Sequence, residues 1–187
     1  LNVYVPSEPV WLNQVHGITV VDAATTGCAP QADASYTSHS KVVCVTMTAD
    51  CLPVLLCDQA GTVVAAVHAG WRSMCDGVIE STIAAMQIEG AQLLAWLGPA
   101  IGPQAFEVGG EVRAQFIEKD ARAESAFKPH GDKWLGDLYQ IATLRLHNKG
   151  VTSIYGGGSC TFTEKDQFFS FRRDGVTGRM ATLIWLA

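Results

Sequence analysis

The sequence predicts an α+β fold: a single domain of mixed β-sheets covered by helices. Short runs rich in Val and Thr, separated by Gly, Pro, Asp and Ser, occupy most of the first seventy positions and read as strands. From Trp71 the apolar period changes to the three-and-four spacing of a helix face. Strand and helix then alternate without the regular repeat of a parallel α/β unit, which favours mixed sheets with helices packed on them.

The strands expected before residue 70 are Val10 to Val15, Ile18 to Val21, Ala34 to Thr37, Val42 to Thr48, Pro53 to Cys57 and Thr62 to His68. Gln59-Ala60-Gly61 reads as a tight turn that lets two of them pair antiparallel. Trp71, Met74, Cys75, Val78, Ile79, Thr82, Ile83 and Met86 share one helical face, so a helix of about four turns is expected directly after His68. A second helix is expected from about Gly109 to Lys119 with Val112 and Phe116 inward, and a third from an Asp137 N-cap to Asn148, stopped by Gly150. Further strands are expected at Leu93 to Leu97, Ser153 to Tyr155, Gln167 to Phe171 and Met180 to Leu186.

Length and composition bound what such a fold can do. The 187 residues fall within the range of one domain, residues 1–187, and a 48% hydrophobic content gives ample apolar surface for a core. The apolar runs are far shorter than the roughly 20 residues of a membrane span, so no membrane role is expected. Thirteen basic against eighteen acidic side chains give a formal charge of -5, with Lys and Arg scattered. A nucleic-acid partner would call for a basic footprint, so a small-molecule substrate is favoured, and an anionic one must be held by local donors. The six cysteines form no CxxC pair and fit unpaired thiols in a reducing cytoplasm. His39, His130 and His147 lie in polar surroundings and are expected to be exposed.

Chemistry concentrates in three strings: Gln14-Val15-His16-Gly17, Thr48-Ala49-Asp50-Cys51 and Val67-His68-Ala69-Gly70-Trp71-Arg72. Each of His16, Cys51 and His68 ends or follows a strand beside a turn residue, and strand ends meeting at one sheet edge would bring them together. Two imidazoles and a thiolate suit a zinc site that keeps its fourth position open. Two other readings stay open on the residues alone: structural burial of each side chain, and a metal-free pair with Cys51 as nucleophile and His16 or His68 as base. Asp50 is read as an anchor or turn residue or, if a local bend turns it inward, as a catalytic group. Arg72, in the first turn of the helix after Gly70, is a candidate for a forked contact to phosphate held at the helix N-terminus.

These strings carry a resemblance. Together with Leu97-Gly98-Pro99-Ala100-Ile101-Gly102-Pro103, Phe106-Glu107-Val108-Gly109, Phe168-Phe169-Ser170-Phe171-Arg172-Arg173-Asp174-Gly175 and Thr177-Gly178-Arg179-Met180, they resemble the YfiH-type family, also described as laccase-domain proteins. The match runs from about Pro9 to Leu186. Pro9-Val10-Trp11-Leu12 resembles the interior of a family member, which implies that an N-terminal segment of the family is not represented. The resemblance implies a zinc-dependent purine nucleoside phosphorylase acting on a purine nucleoside and phosphate, with adenosine deaminase as a second activity. It implies His16, Cys51 and His68 as the metal ligands. Cys51, His68 and Asp50 are the catalytic candidates, and Gln14, Arg72, Phe169 and Arg172 the substrate-binding candidates.

Two departures from the family pattern are visible, Ser73 where Gly is usual and Phe171 where Tyr is usual. Copper is the alternative metal, with polyphenol oxidase (laccase) activity, but coupling phenol oxidation to oxygen reduction needs several coppers and the chain has five histidines without an HxH pair. A Cys-His hydrolase of cell-wall precursors and a non-catalytic zinc-stabilised interaction domain are the remaining alternatives. Oligomeric state is not legible in the sequence.

Overall fold

A computed structural model describes residues 5–187. Its centre is a six-stranded mixed sheet built from β1 (Val20–Asp22), β2 (Ala34–Thr37), β4 (Leu52–Asp58), β5 (Val64–Ala69), β6 (Leu93–Leu97) and β10 (Ser153–Gly156), in the order β1-β2-β5-β4-β6-β10. The inner pairings are antiparallel and the two outer ones, β1 with β2 and β6 with β10, are parallel. A ribbon of β3 (Cys44–Thr48) and β11 (Met180–Ile184) is antiparallel, and β7 (Glu107–Val108), β9 (Lys133–Gly136) and β8 (Phe127–His130) form a small third sheet. The α+β expectation with mixed sheets is met.

The sequence of β5, Val-Ala-Ala-Val-His-Ala, has no exposed position because the strand is covered on both faces. Ala65, Val67 and Ala69 enter the main core with Val78, Ile79 and Ile83 of α2 (Val78–Met86), while Ala66 packs in a smaller cluster with Cys44 of β3. Small side chains at alternate positions let two layers approach the strand closely. His68, only 3% exposed, is the one ionisable group in this strand, so its burial requires a partner.

The expected four-turn helix is instead two. Gly77 adopts φ 106°, a left-handed conformation available at low cost to glycine, and ends α1 (Trp71–Asp76) before α2 begins. The apolar period continues across the break, which is why periodicity alone does not reveal it. Arg145 of α4 (Leu138–Asn148) donates to the Cys75 carbonyl at 2.8 Å and pairs with Glu80 at 3.0 Å, tying this corner to the helical layer. The other two helices match expectation: α3 (Gly110–Lys119) buries Val112 and Phe116, and Asp137 caps α4 by accepting from Gln140 N.

Two expected strands fail for identifiable reasons. Val10 to Val15 makes only single bridges, Val10 with Cys44 and Asn13 with Gln31, and beyond the Val10 bridge its contact with β3 runs through the Gln14 side chain instead of a backbone ladder. Gln167 to Phe171 is not a strand either. The Arg173 guanidinium donates to the carbonyls of Thr161, Phe162 and Phe168, curling the segment into a loop that ends in α5 (Phe171–Asp174), capped by Ser170. The third sheet has no apolar alternation in its sequence, because β8 (Phe-Lys-Pro-His) is polar and contains proline, allowed on an edge strand.

Candidate metal centre

The centre is organised by a residue the motifs did not single out, Asp33, which is fully buried just before β2. Its carboxylate accepts from the backbone N–H groups of Val15 (3.2 Å), His16 (2.9 Å) and Gly17 (2.6 Å), and its Oδ1 lies 2.8 Å from His68 Nδ1. Three converging amides fold the 15–17 turn around the charge. They also stabilise His16 at φ 59°, a left-handed backbone that a non-glycine residue adopts only with support. With Nδ1 committed to Asp33, the Nε2 of His68 is the nitrogen left to bind a metal.

The three expected ligands do converge. His16, Cys51 and His68 offer donor atoms that all lie within 4.8 Å of one another, and they form the one such cluster of three or more among the described residues. Cys51 Sγ is 3.8 Å from His16 Nε2, and the two imidazoles meet edge to face with centroids 4.8 Å apart. Burial alone would push the Cys51 thiol up, but hydrogen bonds from His16 and His68, together with their charge, bring it down to about 6. Burial would lower His68, yet its bonds to Asp33 and Cys51 raise it to about 9. Asp33 is held below its ordinary value because the His68 and backbone bonds outweigh its desolvation.

Gly70 supplies the space. A Cβ built there would come within 2.8 Å of His16 Cδ2 and 3.2 Å of Cys51 Sγ, so a larger residue would enter the ligand cluster. Ser73, at the position where the sequence pattern calls for glycine, is fully buried and donates to the carbonyls of His68 and Gly70, both at 3.1 Å. The departure therefore adds bonds to the strand-to-helix corner.

A cavity of about 370 Å³ opens onto the cluster, lined on one side by His16, Asp50, Cys51 and His68. Apolar side chains, among them Ile101, Phe106, Leu138 and Phe171, form much of the remaining wall, with Arg72, Arg172 and Arg179 at its polar parts. Arg72 stacks on Trp71 at 4.4 Å, and Arg172 lies 5.8 Å from the Phe106 ring while donating to the Glu107 carbonyl. Local positive charge thus gathers here in a chain of net charge -5. The α1 helix is only six residues long, so the arginines outweigh its dipole as a source of attraction for an anion.

Asp50 takes φ 92°, and its carboxylate is engaged on both oxygens, accepting from Thr161 Oγ1 at 2.6 Å and from Arg172 N at 2.7 Å. It links the Cys51 turn to the α5 wall. Gln14 does not line the cavity: both polar atoms of its amide bond the backbone of Met47, each at 2.8 Å. Phe169, 48% exposed, is also outside the lining and has its ring against Gly178. His39, His130 and His147 are exposed, and all six cysteines are unpaired.

Fold and site together define an α+β domain built around a candidate single-metal centre beside an arginine-bearing cavity. The chain belongs to the YfiH-type family, whose model, described as multi-copper polyphenol oxidoreductase laccase, matches residues 2–187. It is 58% identical over 182 residues to purine nucleoside phosphorylase YfiH of Escherichia coli, covering 97% of this chain and 75% of that one. Over 181 residues it is 52% identical to purine nucleoside phosphorylase PA4543 of Pseudomonas aeruginosa, covering 96% and 74%. The crystal structure of Neisseria meningitidis protein NMB0706 superimposes with a TM-score of 0.94 at 52% identity, covering 99% of this chain and 76% of that one. The chain therefore spans about three quarters of the length of these relatives.

Proposed function

We propose that this chain is a zinc-dependent purine nucleoside phosphorylase. The observation that carries the reading is the N₂S cluster of His16, Cys51 and His68, open on one side to a cavity that combines three arginines with apolar and aromatic walls. Names of the relatives cited above support the same reaction class. The donor set fits zinc: two imidazoles, one thiol brought down to about 6, a carboxylate fixing the His68 tautomer, and three ligands that leave a fourth position free. When bound, zinc would supply Lewis-acid polarisation at the open end of the cavity.

The chain's own residues then do the rest. Arg72, Arg172 and Arg179 would neutralise and orient phosphate, raising its local concentration beside the sugar. Phe106, Phe171 and Ile101 give a planar purine an apolar surface and exclude water that would otherwise compete as nucleophile. A phosphate oxygen forms a bond to the anomeric carbon as the carbon–nitrogen bond breaks. The base leaves with the electron pair and is protonated from solvent. Asp50 would hold Arg172 and the α5 wall in place through its two accepted bonds. Six unpaired thiols agree with a reducing cytoplasm, and among the described residues no helix is long and apolar enough to cross a membrane.

Incubating purified protein with inosine and phosphate, and separating products by chromatography, should give hypoxanthine and ribose 1-phosphate in equal amounts. Base released without phosphate dependence overturns the reading. Adenosine in the same assay, with ammonia measured, tests the deaminase activity that the resemblance implies. Copper polyphenol oxidase activity is less well supported, because several coppers need several ligand sets and the described residues contain one cluster.

A further inference from the structure

His16 is exposed and sits in a turn at φ 59°, so the direction of its imidazole depends on what holds residues 14–17. Asp33 supplies one hold, and it ties His16 to His68. Cys51 is tied to His68 by the central sheet, because β4 begins at the next residue and pairs Leu52 with Ala69 and Pro53 with His68. The third side of the triangle, from His16 to Cys51, runs through Gln14. This half-buried side chain donates from Nε2 to the Met47 carbonyl and accepts on Oε1 from the Met47 N–H, both at 2.8 Å. Those are the two bonds that a paired residue on a neighbouring antiparallel strand would make. Residues 10–14 follow the edge of β3 that β11 does not cover: Val10 N donates to the Val43 carbonyl at 3.0 Å, and four residues further along each stretch the Gln14 amide meets Met47. From Met47 the chain runs through Thr48, Ala49 and Asp50 directly to Cys51.

We infer that Gln14 is a positioning residue of the metal centre, its amide clamp on the Met47 backbone setting the His16 imidazole against the Cys51 sulfur. The assignment rests on the metal-centre reading and gives the His16 turn a second anchor beside Asp33. Only a primary amide suits the clamp, since it carries one donor group and one acceptor for the two groups of a peptide unit. A carboxylate would set an oxygen against the Met47 carbonyl, and asparagine is one methylene short. The separation that the clamp maintains is the one a shared ion needs. Bonds of about 2.3 Å to sulfur and 2.0–2.1 Å to nitrogen, at a tetrahedral angle, put the two donors about 3.6 Å apart. Cys51 Sγ and His16 Nε2 are held at 3.8 Å. An imidazole left free to swing would have to be ordered when the metal binds, and that ordering weakens affinity without removing any ligand.

The test is Gln14→Met, which keeps the side-chain length and removes both bonds. Gln59→Met is the control: it removes the Gln59 bond to the Ala91 carbonyl just past β4, at the opposite end of that strand from Cys51. Three quantities are measured on each: zinc affinity by competition with a chromophoric chelator, the absorption spectrum of the cobalt(II)-loaded protein, and the melting temperature of the metal-free protein. Gln14→Met is expected to bind zinc about tenfold more weakly, the lower end of the effect of groups that orient metal ligands. Its thiolate-to-cobalt absorption should weaken or shift, because sulfur and imidazole no longer meet the ion in the native arrangement. Gln59→Met should keep both native. A lower melting temperature in Gln14→Met with native zinc affinity and a native cobalt spectrum would make the clamp structural alone and overturn the assignment. Equal losses of affinity in the two variants would overturn it as well. If Gln14→Met does not fold, Gln14→Asn decides, since it keeps the amide but cannot span to Met47. Weaker zinc binding with native circular dichroism supports the clamp, and wild-type affinity overturns it. Wild-type protein that binds neither zinc nor cobalt would overturn the metal-centre reading first, and this assignment with it.

Discussion

Replacing Asp33 by Asn changes one atom of a fully buried carboxylate and should disable both histidine ligands at once. The native carboxylate has two acceptor oxygens serving four donors: Oδ2 takes Val15 N and Gly17 N, and Oδ1 takes His16 N and His68 Nδ1. An amide has one acceptor. If its nitrogen faces Val15 and Gly17, donors oppose donors at 3.2 and 2.6 Å. If it flips, its N–H groups face His16 N and His68 Nδ1, driving the His68 proton onto Nε2, the nitrogen a metal needs. The first orientation strands two donors and the second strands His16 N, at about 1–3 kcal/mol each. For a domain of this size that corresponds to a melting temperature lower by roughly 5–20 °C. Zinc affinity should fall about 10- to 100-fold, the usual effect of losing a carboxylate behind a ligand histidine. Thermal melts and competition with a chromophoric chelator measure the two effects separately. An Asp33→Asn variant that melts within about 2 °C of the wild type and binds zinc within about threefold would refute the reasoning.

Gly70→Ala retains an allowed backbone, since Gly70 sits at φ -64° and ψ 160°, but drives a methyl into His16 and Cys51; zinc content should drop while circular dichroism stays native. Equal zinc in this variant would place the ligands elsewhere. Tyr139, whose hydroxyl accepts from Ala100 N and donates to the Ser159 carbonyl, is pushed by burial from 10.0 to about 12. The folded protein therefore favours the neutral phenol, a contribution complete below pH 10 and lost as pH rises toward 12, on the order of 2–3 kcal/mol. Denaturant titrations of the wild type and Tyr139→Phe should show that alkaline loss in the wild type alone. Asp50→Ala should release Thr161 and α5 and raise KM for nucleoside with zinc content unchanged; a fall in kcat alone would give Asp50 a proton-transfer role.

The fold was legible wherever burial imposes a period. The fully buried β5, the face shared by α1 and α2, the inward face of α3 and the capped helix α4 follow from spacing and caps. What could not be read is structure set by distant side chains. Arg173 curls the segment before α5, Gln14 substitutes an amide for a ladder, and Gly77 breaks a helix whose apolar face runs on regardless. At the site, the three strings and the family resemblance marked His16, Cys51 and His68 as candidate ligands, while their spacing alone left structural burial and a Cys-His pair open. Their organiser was not legible. Asp33 sits in Gln31-Ala32-Asp33-Ala34, and its only signal is a charge amid small apolar residues at the entry to a strand.

The central claim is that His16, Cys51 and His68 together hold one metal ion. X-ray absorption at the zinc edge of the purified protein tests it most directly, with metal analysis on the same sample. About one zinc per chain is expected, with a single sulfur near 2.3 Å and nitrogen or oxygen neighbours near 2.0–2.1 Å. A zinc shell without sulfur, or several firmly bound coppers per chain, would contradict it.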